Sequence, residues 1–330
     1  MFYQSQFKAA WWLANPHLQT IAAKYLRRKE QLATVTETLE LPDGDFLDLA
    51  WTEIPPPEST RPLVVLLHGL EGSVESHYAR GMLNTIKRLG WVGVLMHFRG
   101  CSGRSNRKER SYHSGDTRDI GYLSGLLRQR YPYCPLSAIG FSLGGNVLTR
   151  YLAQTPDNPF QAAVVICAPL HLSSCSDRIN RGFSKVYQQY LVKMLKASTR
   201  EKIARNQLTR LSAGELAGIT TIRDFDNRVT APVNGFLDAE DYYRQMSGRD
   251  LLAQIRQPCL VIHAKDDPFL SHRHITEQLK LSPTTIFELC RRGGHVGFIS
   301  GKNPLRPQFW LEHRVPAYLK EHMQYDHSAR

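Results

Sequence analysis

Paired cysteines, internal repeats, low-complexity tracts and long apolar runs are all missing from this 330-residue chain. The six cysteines (101, 134, 167, 175, 259 and 290) lie far apart with no Cys-x-x-Cys spacing. That excludes a zinc ribbon or a dithiol redox motif and reads as reduced thiols of a cytoplasmic protein. The opening residues lack the basic, apolar and small-residue order of a signal peptide. The uncharged run from Ala9 to Ala23 contains Asn15, Pro16, His17 and Gln19, which makes it too short and too polar for a bilayer span. Trp11 and Trp12 could rest on a lipid interface, although covering the protein's own core is the commoner use of such residues. Acidic residues are scarce, 30 against 42 Lys and Arg, for a net charge of +12. The basic residues are scattered, apart from short clusters at "KYLRRK" (24–29) and "RSNRKER" (104–110). Without a basic stripe interleaved with aromatics, or a finger or RNA-recognition signature, no nucleic-acid partner is expected. Transient contact with an acidic lipid surface remains compatible with the charge.

What is present is enough apolar material, 42% of residues, for one large domain carrying an insertion. Residues 37–53 predict two antiparallel strands around the turn Pro42-Asp43-Gly44, and "PPPES" (55–59) a stiff connector. Short apolar runs then alternate with amphipathic helical stretches through "QAAVVICAP". This is the pattern of a mostly parallel, doubly wound sheet with helices on both faces. The alternation stops near residue 170 and resumes at "PCLVIHAKDD", with helical periodicity between. Three parts follow: an N-terminal arm (1–36) packing on the core, the α/β core (37–169 and 258–330), and a helical cap (170–257) inserted before the acid-bearing strand. The last helix, in "PQFWLEHRVPAYLKEHM", is expected to break at Pro316.

In open parallel sheets reacting groups collect at the carboxyl ends of the strands. There the sequence places His68-Gly69-Leu70, Ser142, Asp266-Asp267 and, after the last strand, His295. Gly140-Phe141-Ser142-Leu143-Gly144 fits the strand-turn-helix elbow G-x-S-x-G, which exposes a serine hydroxyl on a strained turn. The helix that follows aims N–H groups at the site, so the Leu143 N–H is a candidate oxyanion donor. Gly69 lets a second loop come close enough for the Leu70 N–H to be the other. A serine needs a base, which His295 can be, and an acid to orient it. Asp267 is favoured over its neighbour Asp266, because Pro268 beside it starts a turn. The order Ser142, Asp267, His295 is the order these roles take in α/β-hydrolases, not in chymotrypsin or subtilisin.

The stretches "NPHLQTI", "LPDGDFLDLAW", "HGLEGS", "HFRGCSG", "YHSGDT", "GFSLGGN", "AKDDPF" and "GGHVGF" together resemble the YheT-like branch of the α/β-hydrolase superfamily over nearly the whole chain. The resemblance implies an α/β-hydrolase fold, Ser142, Asp267 and His295 as charge-relay residues, no cofactor, and cleavage of acyl or lipid-like carboxylic esters, with a small-molecule ester as partner. Transfer of the acyl group to an alcohol, or non-catalytic binding of a lipid or protein, are the alternatives. The loop reads His-Gly-Leu where many small esterases have His-Gly-Gly-Gly, which predicts a more enclosed pocket near Leu70.

Rival chemistries find less support. Dehalogenases and epoxide hydrolases of this fold place an Asp at the elbow. His272 and His274 lack a carboxylate at a recognised metal spacing and read as surface residues. Glycines 140–145 do not open as a dinucleotide loop. Asp226, Asp241, Tyr242 and Tyr243 could line an acyl entrance or satisfy each other within the cap, and His17 and Gln19 are expected to pin the arm. A thiolate at Cys101, beside Arg99, lacks a neighbour to lower its pKa.

Overall fold

A computed structural model describes residues 1–27 and 31–323, so part of the 24–29 basic cluster lies outside the described residues. Strand Phe2–Gln4 (β1) is followed by helix Pro16–Leu26 (α1) and by strands Val35–Glu40 (β2) and Phe46–Trp51 (β3). The alternation then runs Leu63–Leu67 (β4), His77–Arg88 (α2), Val92–Met96 (β5), Arg118–Arg130 (α3), Leu136–Phe141 (β6), Leu143–Gln154 (α4) and Ala162–Ile166 (β7). The next segment is helical: Leu172–Ile179 (α5), Ser184–Ala204 (α6), Ala213–Gly218 (α7), Ile222–Phe225 (α8), Ala231–Asn234 (α9) and Ala239–Met246 (α10). Cys259–Ala264 (β8), His272–Thr276 (α11), Thr285–Cys290 (β9), the short pair Ile299–Ser300 (β10) and Gln308–Phe309 (β11), and Leu311–His322 (α12) complete the described chain.

Nine strands form one sheet in the order β1-β9-β8-β7-β6-β4-β5-β3-β2. Every pairing from β1 to β5 is parallel, and β3 and β2 are antiparallel. Strands β4 to β8 are buried at every residue, as helices on both faces require, and this is why they read as unbroken apolar runs. The hairpin from β2 to β3 turns at Gly44, whose φ of +79° suits a residue without a Cβ. The parallel strands end along one rim, where His68, Ser142, Cys167 and the Asp266-Asp267 pair follow β4, β6, β7 and β8.

Two elements differ from expectation. β1 pairs in parallel with β9, Phe2 opposite Phe287, so the arm adds an edge strand as well as packing. Three residues are too short for a strand pattern, and the pairing is secured by groups distant in sequence: Ser5 Oγ donates to Glu288 Oε1 at 2.5 Å and Arg314 Nε to Glu288 Oε2 at 2.8 Å. The final helix, expected to break at Pro316, instead runs continuously from Leu311 to His322 with Pro316 inside it. Val315, Pro316, Tyr318 and Leu319 are all buried, and their packing offsets the missing N–H. "PQF", placed in that helix by the periodicity, forms β11 in part.

Candidate active site

β6 ends at Phe141 and α4 starts at Leu143, so Ser142 alone makes the turn, at φ 50° and ψ −120°. Such a conformation costs a side-chain-bearing residue about 1–3 kcal/mol and persists only where its surroundings enforce it. Ser142 N–H donates to Ile166 O at 2.8 Å, and Gly144 N–H to His68 O at 3.0 Å. The flanking glycines are a steric requirement. A Cβ on Gly140 would lie 2.6 Å from Gly144 O, and one on Gly144 2.5 Å from His68 O.

The rim brings the three distant residues together. His295 Nε2 lies 3.0 Å from Ser142 Oγ, and His295 Nδ1 lies 2.8 Å from Asp267 Oδ2. Asp267 is buried; its Oδ1 accepts the Phe269 N–H at 2.8 Å, and the Phe269 ring stacks on the imidazole at 4.1 Å and 2°. Asp266 plays a different part, because its Oδ1 accepts the Gly294 N–H at 3.1 Å and so holds the backbone of the histidine loop. Burial raises the Asp266 carboxyl above its ordinary pKa.

On the other side of Ser142, the loop after β4 is fixed one N–H at a time. Gly69 N–H donates to Tyr78 Oη, Glu71 N–H to Tyr112 Oη (both 2.8 Å), and Gly72 N–H to Gly69 O at 3.0 Å. His68 Nδ1 lies 2.6 Å from Gly69 O, while its Nε2 accepts the Phe98 N–H; burial depresses this imidazole to about 3, so it is neutral. Among the described residues neither Leu70 N–H nor Leu143 N–H finds an acceptor, and both residues border the cavity beside Ser142. The Leu70 side chain packs against both the main core and the apolar cluster of the helical segment.

Ser142 and His295 open into a mostly apolar cavity of about 610 Å³ walled by the sheet rim, α1 and the helical segment. Asp226, Tyr242 and Tyr243 line it; Tyr243 Oη donates to Asp226 Oδ2 at 2.6 Å, while Tyr242 Oη accepts the Ser114 N–H at 2.9 Å. Burial raises Asp226 to about 6, against the pull of its bonds from Tyr243 and Thr230. Asp241 instead caps its own helix region and pairs with Arg244. Arg99 borders the cavity but is committed to Asp119, Asp43 and Asp45. Burial, with Glu71 nearby, pushes the Cys101 thiol well above its ordinary range, so it is no thiolate. His274 is exposed and His272 half-buried, both on α11. All six cysteines are free. Ligand atoms of Cys167, Asp267 and His295 come within 4.8 Å of one another. A metal there would have to break the Asp267–His295 bond and ionise a thiol that burial drives well above its usual range.

Of the residues that support these loops, sequence reasoning anticipated Gln19 as one that pins the arm and missed the others. His295 N–H donates to Thr20 Oγ1 at 2.9 Å, and Thr20 in turn donates to Pro16 O at 2.8 Å. Buried Gln19 donates to Leu13 O and Ile299 O and accepts the Ile299 N–H, clamping α1 onto the chain just past His295. A Cβ on Gly297 would lie 2.4 Å from Gln19 O, which shows how closely arm and loop approach. His17, expected like Gln19 to pin the arm, is half-buried and joins α1 to α6 through Nδ1 and Tyr187 Oη at 3.1 Å. On the opposite side Glu71 accepts from Tyr112 Oη at 2.8 Å and from Ser198 Oγ of α6 at 2.5 Å. Only the "NPHLQTI" stretch hinted at the first set; nothing local marked Glu71 or Ser198.

Comparison with known proteins agrees with this architecture. Residues 62–302 match the family described as alpha/beta hydrolase fold. The YheT protein of Escherichia coli (strain K12), whose name carries a provisional esterase designation, is 45% identical over 94% of this chain and 92% of its own length. Phospholipase ABHD3 of Mus musculus is 28% identical, covering 88% of this chain and 72% of its own. The Saccharomyces cerevisiae monoacylglycerol lipase is 28% identical over 80% of this chain and 60% of its own length. Among solved structures, the Pyrococcus furiosus esterase Pf2001 superposes with a TM-score of 0.56 at 17% identity, over 91% of this chain and 92% of that one. That likeness shows the shared fold. The chain therefore belongs to the α/β-hydrolase fold family, and within it is a YheT-like protein with esterase- and lipase-like relatives.

Proposed function

We propose that the protein is a serine hydrolase of carboxylic esters with an acyl or lipid-like chain, acting through a covalent acyl-enzyme. The observation that carries this reading is the unbroken relay from Asp267 Oδ2 through both ring nitrogens of His295 to Ser142 Oγ, at 2.8 and 3.0 Å. With Nδ1–H donated to Asp267, Nε2 is the free base that accepts the Ser142 proton as Oγ attacks the ester carbonyl. The N–H groups of Leu70 and Leu143 receive the oxyanion. Removing a donor of this kind typically costs about 2.7–4 kcal/mol of barrier. His295 then returns the proton to the leaving alcohol, and a water deprotonated by the same nitrogen releases the acid. The helical segment serves as a cap over the acyl-binding cavity. Its volume of about 610 Å³ suits a chain-bearing ester, and its apolar lining a hydrocarbon.

The names borne by the relatives, an esterase, a monoacylglycerol lipase and a phospholipase, support the ester class. A panel of p-nitrophenyl esters of graded acyl length tests the reading. Turnover should rise with chain length beyond acetate and disappear in Ser142→Ala; no turnover of any ester by folded protein would overturn it. Added alcohol separates hydrolysis from acyl transfer, since a transferase would divert product from acid to the new ester.

A further inference from the structure

Two exposed apolar stripes frame the cavity. On α1 they are Leu18, Ile21 and Tyr25, at 51, 38 and 74% exposure; on α6 and the residue before it they are Phe183, Val186 and Tyr190, at 54, 52 and 57%. Both triplets have the same i, i+3, i+7 spacing, which aligns each along one helix face. The two helices touch, because the His17 ring packs 4.7 Å from Phe183 and bonds to Tyr187. Ile21, Tyr25, Val186 and Tyr190 border the cavity while remaining exposed, so a mouth opens between the stripes. The mouth is close to the reacting groups: Tyr187 lies 4.9 Å from Phe269, whose ring stacks on His295.

The cavity wall includes the acidic Glu71, Glu201 and Asp226, but the stretches that carry the two stripes hold charge of one sign. Residues 16–27 and 184–200 contain no Asp or Glu, while Lys24, Lys185 and Lys193 are exposed among them. A surface both apolar and cationic matches one partner chemistry, an anionic bilayer, whose headgroups attract the lysines while its acyl region takes the apolar side chains. From this we infer that the face made by α1 and the start of α6 docks on an anionic phospholipid surface, with the cavity mouth turned towards the lipid. An ester then passes from the bilayer to Ser142 without exposing its chain to water. That entry route rests on the esterase reading; the docking surface does not.

Vesicle co-sedimentation of the Ser142→Ala protein separates the two claims, because binding is read without turnover. Vesicles of equal parts phosphatidylglycerol and phosphatidylcholine should bind at least about tenfold more tightly than phosphatidylcholine alone, and added salt should weaken them. Leu18→Glu combined with Phe183→Glu, both outside the cavity wall, should weaken anionic-vesicle binding by about tenfold or more. In the Ser142 background the same pair should hydrolyse a short soluble ester at the parental rate. Lys185→Glu with Lys193→Glu, on exposed positions, gives a second variant set with the same expected direction. Equal binding to neutral and anionic vesicles, unchanged binding in both variant sets, or a parental dimer dissolved by Leu18→Glu would overturn the inference, the last by showing that a second copy covers the stripes. Loss of short-ester turnover in the parent, with vesicle binding intact, would strike the esterase reading alone.

Discussion

The two loops that flank Ser142 are held by different means. The histidine loop is clamped to the N-terminal arm by uncharged groups, Thr20 Oγ1 accepting the His295 N–H and Gln19 bracketing Ile299 on both its backbone groups, and to the turn after β8 by Asp266, whose Oδ1 accepts the Gly294 N–H. The loop carrying Leu70 is tied instead to α6, through the Glu71 carboxylate. Glu71 bonds to Tyr112 beneath it and to Ser198 on α6 above it, at a backbone φ of 51°. One loop is thereby fixed to an arm on the core, and the other to the helical segment over the cavity. In the proposed mechanism His295 must keep one geometry throughout the reaction, and Thr20 and Gln19 tie its loop to α1. The loop of the candidate oxyanion donor is instead coupled to the helical segment over the cavity, through the Glu71–Ser198 bond and through the Leu70 side chain, which packs on that segment's apolar cluster.

Substitutions can break this contrast at several depths. Removing the shared centre comes first: Ser142→Ala or His295→Ala should lower kcat by about a million-fold if the relay acts as a unit, with little change in KM. Gly144→Ala strikes the turn on which both loops converge. Its Cβ would lie 2.5 Å from His68 O, and denaturant titration should show a loss of about 3 kcal/mol or a failure to fold. Thr20→Val tests the arm. Without the acceptor for His295 N–H, kcat should fall about tenfold at unchanged KM, and Thr20→Ser should restore it. Glu71→Ala tests the other loop; kcat should drop about fivefold, and affinity for a boronate mimic of the tetrahedral state should fall in step while product affinity stays constant. An equal loss of product and boronate affinity would make Glu71 merely structural.

The smallest expected effect concerns pH. Burial holds the Asp226 proton up to about 6, above the 3.8 of an unhindered carboxyl. The folded state thus binds the proton more tightly than the unfolded chain, and the resulting stabilisation, complete below 3.8, is lost as pH rises through about 6. Asp226→Asn should flatten this part of the stability profile, raising Tm by on the order of 2 °C above that window, as differential scanning fluorimetry would record.

The same contrast shows what the sequence could reveal. Ser142, Asp267 and His295 were legible because each sits in a short stretch whose glycines or aspartates answer a local steric or chemical need, and the strands beneath them are unbroken apolar runs. Gln19 was expected to pin the arm and does so, but β1, Thr20, Glu71 and Ser198 were not legible. Their partners lie far away along the chain, and a threonine hydroxyl that accepts one backbone N–H leaves no periodicity or spacing behind. Pro316 misled for a related reason: the rule for prolines in helices is local, whereas the packing of Val315, Tyr318 and Leu319 that carries the helix through is not.

Covalent capture tests the central relay most directly. Wild-type protein treated with a fluorophosphonate and analysed by peptide mass spectrometry should carry a single adduct on Ser142, formed at a rate that His295→Ala reduces by orders of magnitude. An adduct on another residue, no adduct on folded protein, or labelling of Ser142 at the wild-type rate in His295→Ala would contradict the account.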